Sequence, residues 1–471
     1  MKLSKLSIPY RAVKTSGSVL AVFAFTSFEA SKLSPLFFLG GLIIFVLGLV
    51  LTGIWFYLVW KNFSFEVTED TFDIKSGVIN KKQREIPLHR IQNVDVKRNI
   101  FQRILGIAKV NLETAGGKTS EASLMFVDFD KSKDIQKKVR ELKEEHKIEE
   151  AEDEKPMFSL SNKELGILSI TSIDFRVLSI LFVGLSFLSI GSLVESAPIG
   201  LVALLGLILF VVILVALVGS AASNINKYYG FKLYRRGDSL EYERGLLNRS
   251  EGSIPFEKIQ NLRIEENPLK RLVGYATLKV ETAGYSGQDQ SQQEPEVAVP
   301  LARKDHVVDL SNKIFDHGTY NIQGVSRNAF RRYFGRYSIV LLSFTVVSVT
   351  AISTISETRP LFELIAFIPP LAGITAYFKY INKGFYEGEK YFYTMNGFWN
   401  RKTTITPYYR IQNLSLSQTI FQKRLSTSTL ILDTAGIYTF ASNPKAVDLD
   451  EGIGKNLFGQ VYSSFKKSSK N

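Results

Sequence analysis

The sequence predicts an α+β membrane protein: three pairs of transmembrane helices, each followed by a small β-barrel with a C-terminal helix. One stretch of sequence recurs three times, a pair of apolar runs stands ahead of each copy, and period-two patterning follows each pair.

The recurrence is plainest in RIQNVDVKRNIFQRILGIAKVNLETAG, from Arg90 to Gly116. It returns as KIQNLRIEENPLKRLVGYATLKVETAG from Lys258 and as RIQNLSLSQTIFQKRLSTSTLILDTAG from Arg410. From the Ile of IQN to the Thr of TAG is 23 positions in every copy, and over Ile91 to Gly116 the first copy shares 11 identities with each of the others. Gly77, Gly245 and Gly397 each lie 14 residues before that Ile, with Asn80, Asn248 or Asn400 three positions on. A basic residue comes next in each copy: Lys81, Arg249 or Arg401. Pro87, Pro255 and Pro407 precede the Ile by four positions. Ungapped spacing of this kind is internal duplication, and each copy is one structural unit.

Composition bounds what surrounds the units. With 471 residues, 45% hydrophobic content and a formal net charge of +13, the chain has room for several domains and a surface biased towards anionic partners. The absence of cysteine excludes a disulfide framework and thiolate chemistry.

The apolar runs are long enough to cross a bilayer. They cover roughly Tyr10 to Phe28 and Phe37 to Trp60, then Phe175 to Val194 and Pro198 to Ser220, then Tyr337 to Ile355 and Pro360 to Tyr380. The first run, behind MKLSK, has the length of a signal peptide. Against that reading, Phe28-Glu29-Ala30 is a poor cleavage site and the other two units also own a pair, so retention is expected. Pro369 and Pro370 predict a kink in the sixth span. The turns within the pairs hold little positive charge, with Lys32 in the first, none in the second and Arg359 in the third. The termini and flanks are crowded with it, including Lys2, Lys5, Arg11, Lys14, Lys61, Lys227, Arg331, Arg332, Arg336 and Lys383. Basic segments resist export, so the repeated units and both termini are expected in the cytoplasm of a multi-pass plasma-membrane protein.

After each pair, segments such as FSFEVTEDTFDIKSG and GEKYFYTMNG alternate as half-buried strands broken by Asp, Asn and Gly turns. At IQN the phase slips, because Val94 and Val96 alternate while Ile91 is on the opposite parity. A strand that keeps its apolar face across such a slip needs a bulge or corner. The amides of Gln92, Asn93, Gln260, Asn261, Gln412 and Asn413 suit the backbone groups it frees. A short helix follows, with Asn99, Asn267 and Thr419 at the N-cap and Pro268 at the first helical position. Gly106 and Gly274 end it as left-handed caps; Ser426 takes that place in the third copy, which weakens the signal there. A further strand runs into TAG, where Gly116, Gly284 and Gly436 permit a turn. Each unit closes on an amphipathic helix, with Ile135, Val139 and Leu142 on one face of the first. A sheet this small needs such a helix to plug its open end.

This string of IPL, RIQNV, a short helix ending in Gly, and TAG resembles the bacterial pleckstrin-homology-like (bPH) domains of the second family. The paired spans ahead of three such domains resemble the YdbS/YdbT-type membrane proteins. The likeness covers nearly the whole chain and divides it into transmembrane pairs at residues 1–60, 161–225 and 318–382. Pleckstrin-homology-like (PH-like) domains would occupy 61–147, 226–317 and 383–471, with a charged linker at 148–160. The resemblance implies a PH-like barrel, no catalytic activity and the company of a single-copy relative. It carries no ligand pocket onto these residues.

Functional candidates are few. IQN and TAG read as architecture. Lys81, Arg249 and Arg401, basic in all three copies near a membrane-anchored edge, are the candidate contacts for anionic lipid or a partner. His89, His146, His306 and His317 share no repeat position and no metal-ligand spacing. With no P-loop, GxSxG or dinucleotide fingerprint, no enzyme, cofactor or metal site is expected. Glu29, Asp174, Glu195 and Glu363 fall at span ends, whereas transport acids belong in mid-membrane. The expectation is therefore a binding or scaffold protein for membrane lipids and membrane-protein partners, with no nucleic acid. A role in envelope maintenance or resistance to membrane-active agents would suit this design. The alternative is a membrane transporter or transporter accessory subunit.

Overall fold

The structure, a computed structural model, describes residues 2–9, 35–68, 70–114, 122–143, 155–172, 199–283, 296–355, 368–435 and 443–468. The expected spans at Tyr10 to Phe28 and Phe175 to Val194 lie outside the described residues, as do Gly116, Gly284, Gly436 and the side chain of Leu142.

The elements repeat as the sequence does. The first copy runs α1 (Pro35–Lys61), β1 (Ser64–Val67), β2 (Thr71–Ser76), β3 (Lys82–Pro87), β4 (Ile91–Arg98), α2 (Ile100–Ile104), β5 (Ile107–Thr114), β6 (Ala122–Asp128) and α3 (Phe129–Lys143). The second adds β7 (Phe158–Ser159) and α4 (Asn162–Thr171) ahead of α5 (Ile199–Tyr228). It continues with β8 (Lys232–Arg236), β9 (Ser239–Arg244), β10 (Arg249–Pro255), β11 (Ile259–Glu266), α6 (Pro268–Leu272), β12 (Tyr275–Thr282), β13 (Glu296–Arg303) and α7 (Lys304–Ile314). The third comprises β14 (Gln323–Gly324), α8 (Asn328–Ile355), α9 (Ile368–Ile381), β15 (Gly384–Glu387), β16 (Tyr391–Asn396), β17 (Arg401–Pro407), β18 (Ile411–Ser417), α10 (Ile420–Arg424), β19 (Thr427–Thr434), β20 (Lys445–Asp450) and α11 (Glu451–Ser468).

The chain divides into two units. In the first (residues 1–155, 241–253 and 286–288), the antiparallel sheet β1-β2-β3 faces a second sheet. Phe65, Phe72 and Ile86 from one meet Val94, Val110 and Leu124 from the other, and Ile135 and Val139 of α3 join the same core. These are the inward positions of alternating strands and one stripe of a helix. The second sheet does not stop at β4, whose far edge carries β10 of the next repeat, giving the run β6-β5-β4-β10-β9 within this unit.

The second unit (156–240, 254–285 and 289–471) repeats the device. One sheet runs β13-β12-β11-β17-β16-β15-β14, so β17 of the third repeat covers the edge of β11 of the second. The sheet β18-β19-β20 closes the last barrel: Phe392 and Tyr408 pack with Leu430, Leu432 and Leu449 and with Leu457 and Val461 of α11.

Four of the six apolar runs fall wholly or partly in described helices: α1, α5, α8 and α9. Among the described residues one stretch, Phe210–Tyr228 of α5, is long and apolar enough to cross a membrane, and of its residues only the last, Tyr228, is buried inside the protein. Ala329 and Tyr333 of α8 pack on Ala376 of α9. Pro369 and Pro370 stand in the first turn of α9, where a missing N–H forfeits no helical bond. The stretch before them, on which the expected kink depends, is outside the described residues.

Candidate functional site

The basic repeat position belongs to a built turn. Gly77, Gly245 and Gly397 take φ of 110°, 109° and 150°. A Cβ on them would lie 1.9, 2.0 and 1.8 Å from the carbonyl oxygens of Asn80, Asn248 and Asn400. The Gly and the Asn three places on are thus one device, in which the carbonyl folds back over a residue that can have no side chain. Between them lie two apolar residues: Val78-Ile79, Leu246-Leu247 and Phe398-Trp399. Their tips are open to solvent, with Ile79 86% and Trp399 52% exposed.

Strand pairing sets where the tip lies. In the first repeat Ser64 faces Lys75, so the end of β2 returns to the start of β1, just after α1. In the third, Gly384 faces Met395, and Asn382, directly after α9, donates from Nδ2 to Phe398 O at 2.8 Å. In both repeats the apolar tip sits beside the exit of an apolar helix.

The three basic residues have different surroundings. Lys81 is exposed. Arg249 pairs with Glu243 at 2.9 Å and Glu251 at 3.6 Å, its side chain 42% exposed. Arg401 donates from Nε to Asn382 Oδ1 at 3.3 Å and stands 4.0 Å from Glu266. Arg249 faces Arg98 and Arg401 faces Glu266 across paired strands, so both arginines sit on the seams between repeats. A second basic side chain crosses each seam from the short helix. Arg103 donates to Leu246 O, while Arg271 donates to Asn382 Oδ1 at 2.9 Å and Trp399 O at 3.5 Å. Burial first, and then the neighbouring Arg249 and Arg103, pull the Arg98 guanidinium below its ordinary range against the attraction of Glu251. Burial followed by Arg401 does the same to Arg271, opposed by Glu266.

At IQN the pairing slips between Ile91 and Asn93, between Ile259 and Asn261 and between Ile411 and Asn413, placing a bulge at the Gln each time. Gln260 and Asn261 are 4% and 0% exposed. Gln260 donates to Lys258 O at 3.3 Å, a backbone group. Asn261 donates instead to side chains, Glu281 Oε2 at 3.0 Å and Thr434 Oγ1 at 3.1 Å, the latter being the TAG threonine of the following repeat. Gln412 and Asn413 are exposed, on a strand, β18, that ends its sheet among the described residues. The side chains of Gln92 and Asn93 lie outside those described.

The short helices carry side-chain caps: Asn99 and Asn267 accept from the amides of Gln102 and Lys270 at 2.8 Å, and Thr419 accepts from Gln422 at 3.3 Å. Gly106 and Gly274 take φ of 65° and 72°, and Ser426 takes 51°, so the third helix keeps the left-handed ending without glycine.

One polar cluster left little trace in the sequence. Asp448, fully buried at φ 64°, accepts from Arg332 at 2.6 Å, from Gln422 at 3.0 Å and from the Tyr333 hydroxyl. It ties the base of α8 to β20. The Lys383 ammonium lies 5.3 Å from the Tyr333 ring, and burial pushes it down to about 7 despite Asp448. The only signal is an Asp where the first repeat has Phe126, also at positive φ. Lys270, pushed down to about 8 by burial, donates to Thr277 Oγ1 at 2.8 Å.

Comparison with known proteins agrees with the threefold pattern. The sequence profile of the bacterial PH domain family matches residues 19–143, 181–317 and 340–456. The chain is 25% identical over 399 residues to the UPF0699 transmembrane protein YdbT of Bacillus subtilis (strain 168), covering 78% of each chain. Three matched regions spanning most of the sequence, each holding the same turn, bulge and capped helix, place the chain in the bacterial PH domain family as a YdbT-like protein with three copies of the domain.

Proposed function

We propose that the protein is a multi-pass plasma-membrane scaffold. Three helix pairs lie in the bilayer, and three PH-like modules lie in the cytoplasm with both termini. The modules engage membrane-protein partners, among them a single-copy PH-like relative, and touch anionic lipid; the protein catalyses no reaction. The exposed apolar surface of α5 and the transmembrane relative support membrane residence.

The observation that carries lipid contact is the turn at the helix exit. An open apolar pair followed by a basic residue, held beside the end of an apolar helix, is suited to the bilayer interface. The apolar tip enters the headgroup boundary and the cation meets phosphate. The crowding of Arg98, Arg103 and Arg249 at one seam, and of Arg271 and Arg401 at the other, would be relieved by an anionic group.

Trp399 gives the test, since the chain has three tryptophans and the others, Trp55 and Trp60, belong to α1. The full chain carrying Trp55→Phe and Trp60→Phe is reconstituted in vesicles with brominated lipids. Quenching of Trp399 by bromines near the headgroups supports the reading. Emission indifferent to every brominated lipid overturns lipid contact and leaves protein partners.

A further inference from the structure

Among the described residues the chain makes one joint twice and leaves each half of it uncovered once, at a sheet edge. At the first seam Arg98 faces Arg249, Lys97 faces Ser250 and Val96 faces Glu251. At the second, Glu266 faces Arg401, Glu265 faces Lys402, and the ladder continues to Leu262 and Ile405. In repeat coordinates these are the same register: the residue seven places after the IQN isoleucine meets the residue ten places before the next one. Each seam also carries the tie from the short helix, Arg103 or Arg271, to a carbonyl in the next apolar turn.

What remains is complementary. Among the described residues, β3 ends the sheet β1-β2-β3 and β18 ends the sheet β18-β19-β20. Gln83, Arg84 and Glu85 on β3 are exposed where Thr403, Thr404 and Ile405 of β17 are buried. Gln412, Asn413 and Ser415 on β18 are exposed where Gln260, Asn261 and Arg263 of β11 are buried. An uncovered edge is a template for another strand.

We propose that β18 of one copy receives β3 of a second copy, antiparallel and in the internal register. Leu414 then faces Glu85, Ser415 faces Arg84, Leu416 faces Gln83, Ser417 faces Lys82 and Gln418 faces Lys81. The basic residues of β3 do not bar this, because β10 and β17 bring Arg249, Arg401 and Lys402 to the joints already made. From Ile411 to Ser417, β18 carries no charge, so Lys82 and Arg84 meet hydroxyls rather than like charges. Lys423 replaces Arg103 and Arg271 in the short helix and is exposed, ready for the turn carbonyls of Val78 or Ile79. The contact is head-to-tail, so it leaves a new β18 edge after every addition and builds rows or rings. The strand pairing itself does not depend on lipid contact.

The test exploits the cysteine-free background. Full-length chains bearing Ser415→Cys and Arg84→Cys, each with its own tag, are co-expressed and mildly oxidised in the membrane. The expected product is a disulfide-linked pair carrying both tags, several-fold more abundant than from Asp450→Cys with Arg84→Cys. In detergent, the parent chain should show masses above one copy by light scattering. Ser415→Arg with Ser417→Arg, which sets like charges opposite Arg84 and Lys82, should reduce that mass. Adding Arg84→Glu and Lys82→Glu should restore it. A parent that stays a single copy, a cross-link closing within one chain, or a mass unchanged by the arginine variant overturns the proposal.

Discussion

The carbonyl oxygen of Asn400 occupies the space that a Cβ on Gly397 would need, 1.8 Å away. At Gly274 positive φ is the sole constraint, since nothing lies within 4 Å of the added carbon. Gly274→Ala should therefore cost about 1 kcal/mol through φ alone. Gly397→Ala must also open the turn and should cost at least about 2 kcal/mol. Thermal unfolding in detergent reports both, and equal losses would remove the close approach as the reason for the Gly–Asn spacing.

Asn261 and Asn413 hold the same repeat position but not the same surroundings. Truncating buried Asn261 to Ala removes the amide donor to Glu281 Oε2 and Thr434 Oγ1 while Arg263 still pairs with Glu281, and should destabilise by about 1 to 3 kcal/mol. Asn413→Ala, on an exposed edge, should stay within about 0.5 kcal/mol of the parent. Limited proteolysis of the full chain separates the two. Equal protease resistance would mean that cover from the following repeat is not what gives the motif its weight.

Asp448→Asn keeps a residue tolerant of positive φ but leaves Arg332 beside a neutral amide. Breaking a buried pair in this way should cost about 3 kcal/mol. Adding Arg332→Met removes the stranded charge, and the double variant should be more stable than the sum of the single losses by at least about 1 kcal/mol. Additive losses in a melting experiment would show that the two residues act separately.

Lys383 gives a pH dependence with a definite sign. Its ordinary value is 10.5, and burial brings it to about 7 in the fold, so between these values the unfolded chain binds more protons than the folded one. The cost of burying the ammonium is fully present below the folded value and is relieved as pH rises through it, so stability increases with pH over this window. Lys270, at about 8, acts in the same direction. The melting temperature should rise between about pH 6.5 and about pH 9.5. Lys383→Met should melt higher at the acid end and show a smaller rise. A melting temperature that falls over this range in the parent alone would refute the burial of Lys383 as drawn.

Much of this was legible because it is local. The phase slip at Gln260 marks a bulge, Asn267 ahead of Pro268 marks a cap, and Gly245 with Asn248 marks a turn, since each is decided by residues a few places apart. Which neighbour covers a sheet edge is not local. Parity shows which face of β11 is buried and says nothing about its edge, so the pairing of Arg401 with Glu266 and of Asn261 with Thr434 was hidden. The basic position looked like an open lipid contact in all three copies, yet Arg249 and Arg401 also hold seams with the preceding repeat, whereas Lys81 is exposed. The buried Asp448 escaped because a single acid in an apolar frame carries no periodic signal.

On the proposed topology the modules share one side of a membrane that the helices cross. Single cysteines replace exposed Asp130 and Asp305 in the modules, and Ser192 and Ser356 in the expected outward turns. Intact cells are then treated with an impermeant thiol reagent. Labelling at Ser192→Cys and Ser356→Cys, with none at Asp130→Cys and Asp305→Cys until the cells are opened, is the predicted result. Labelling of the module positions in intact cells would contradict the orientation and every partner assigned on that side.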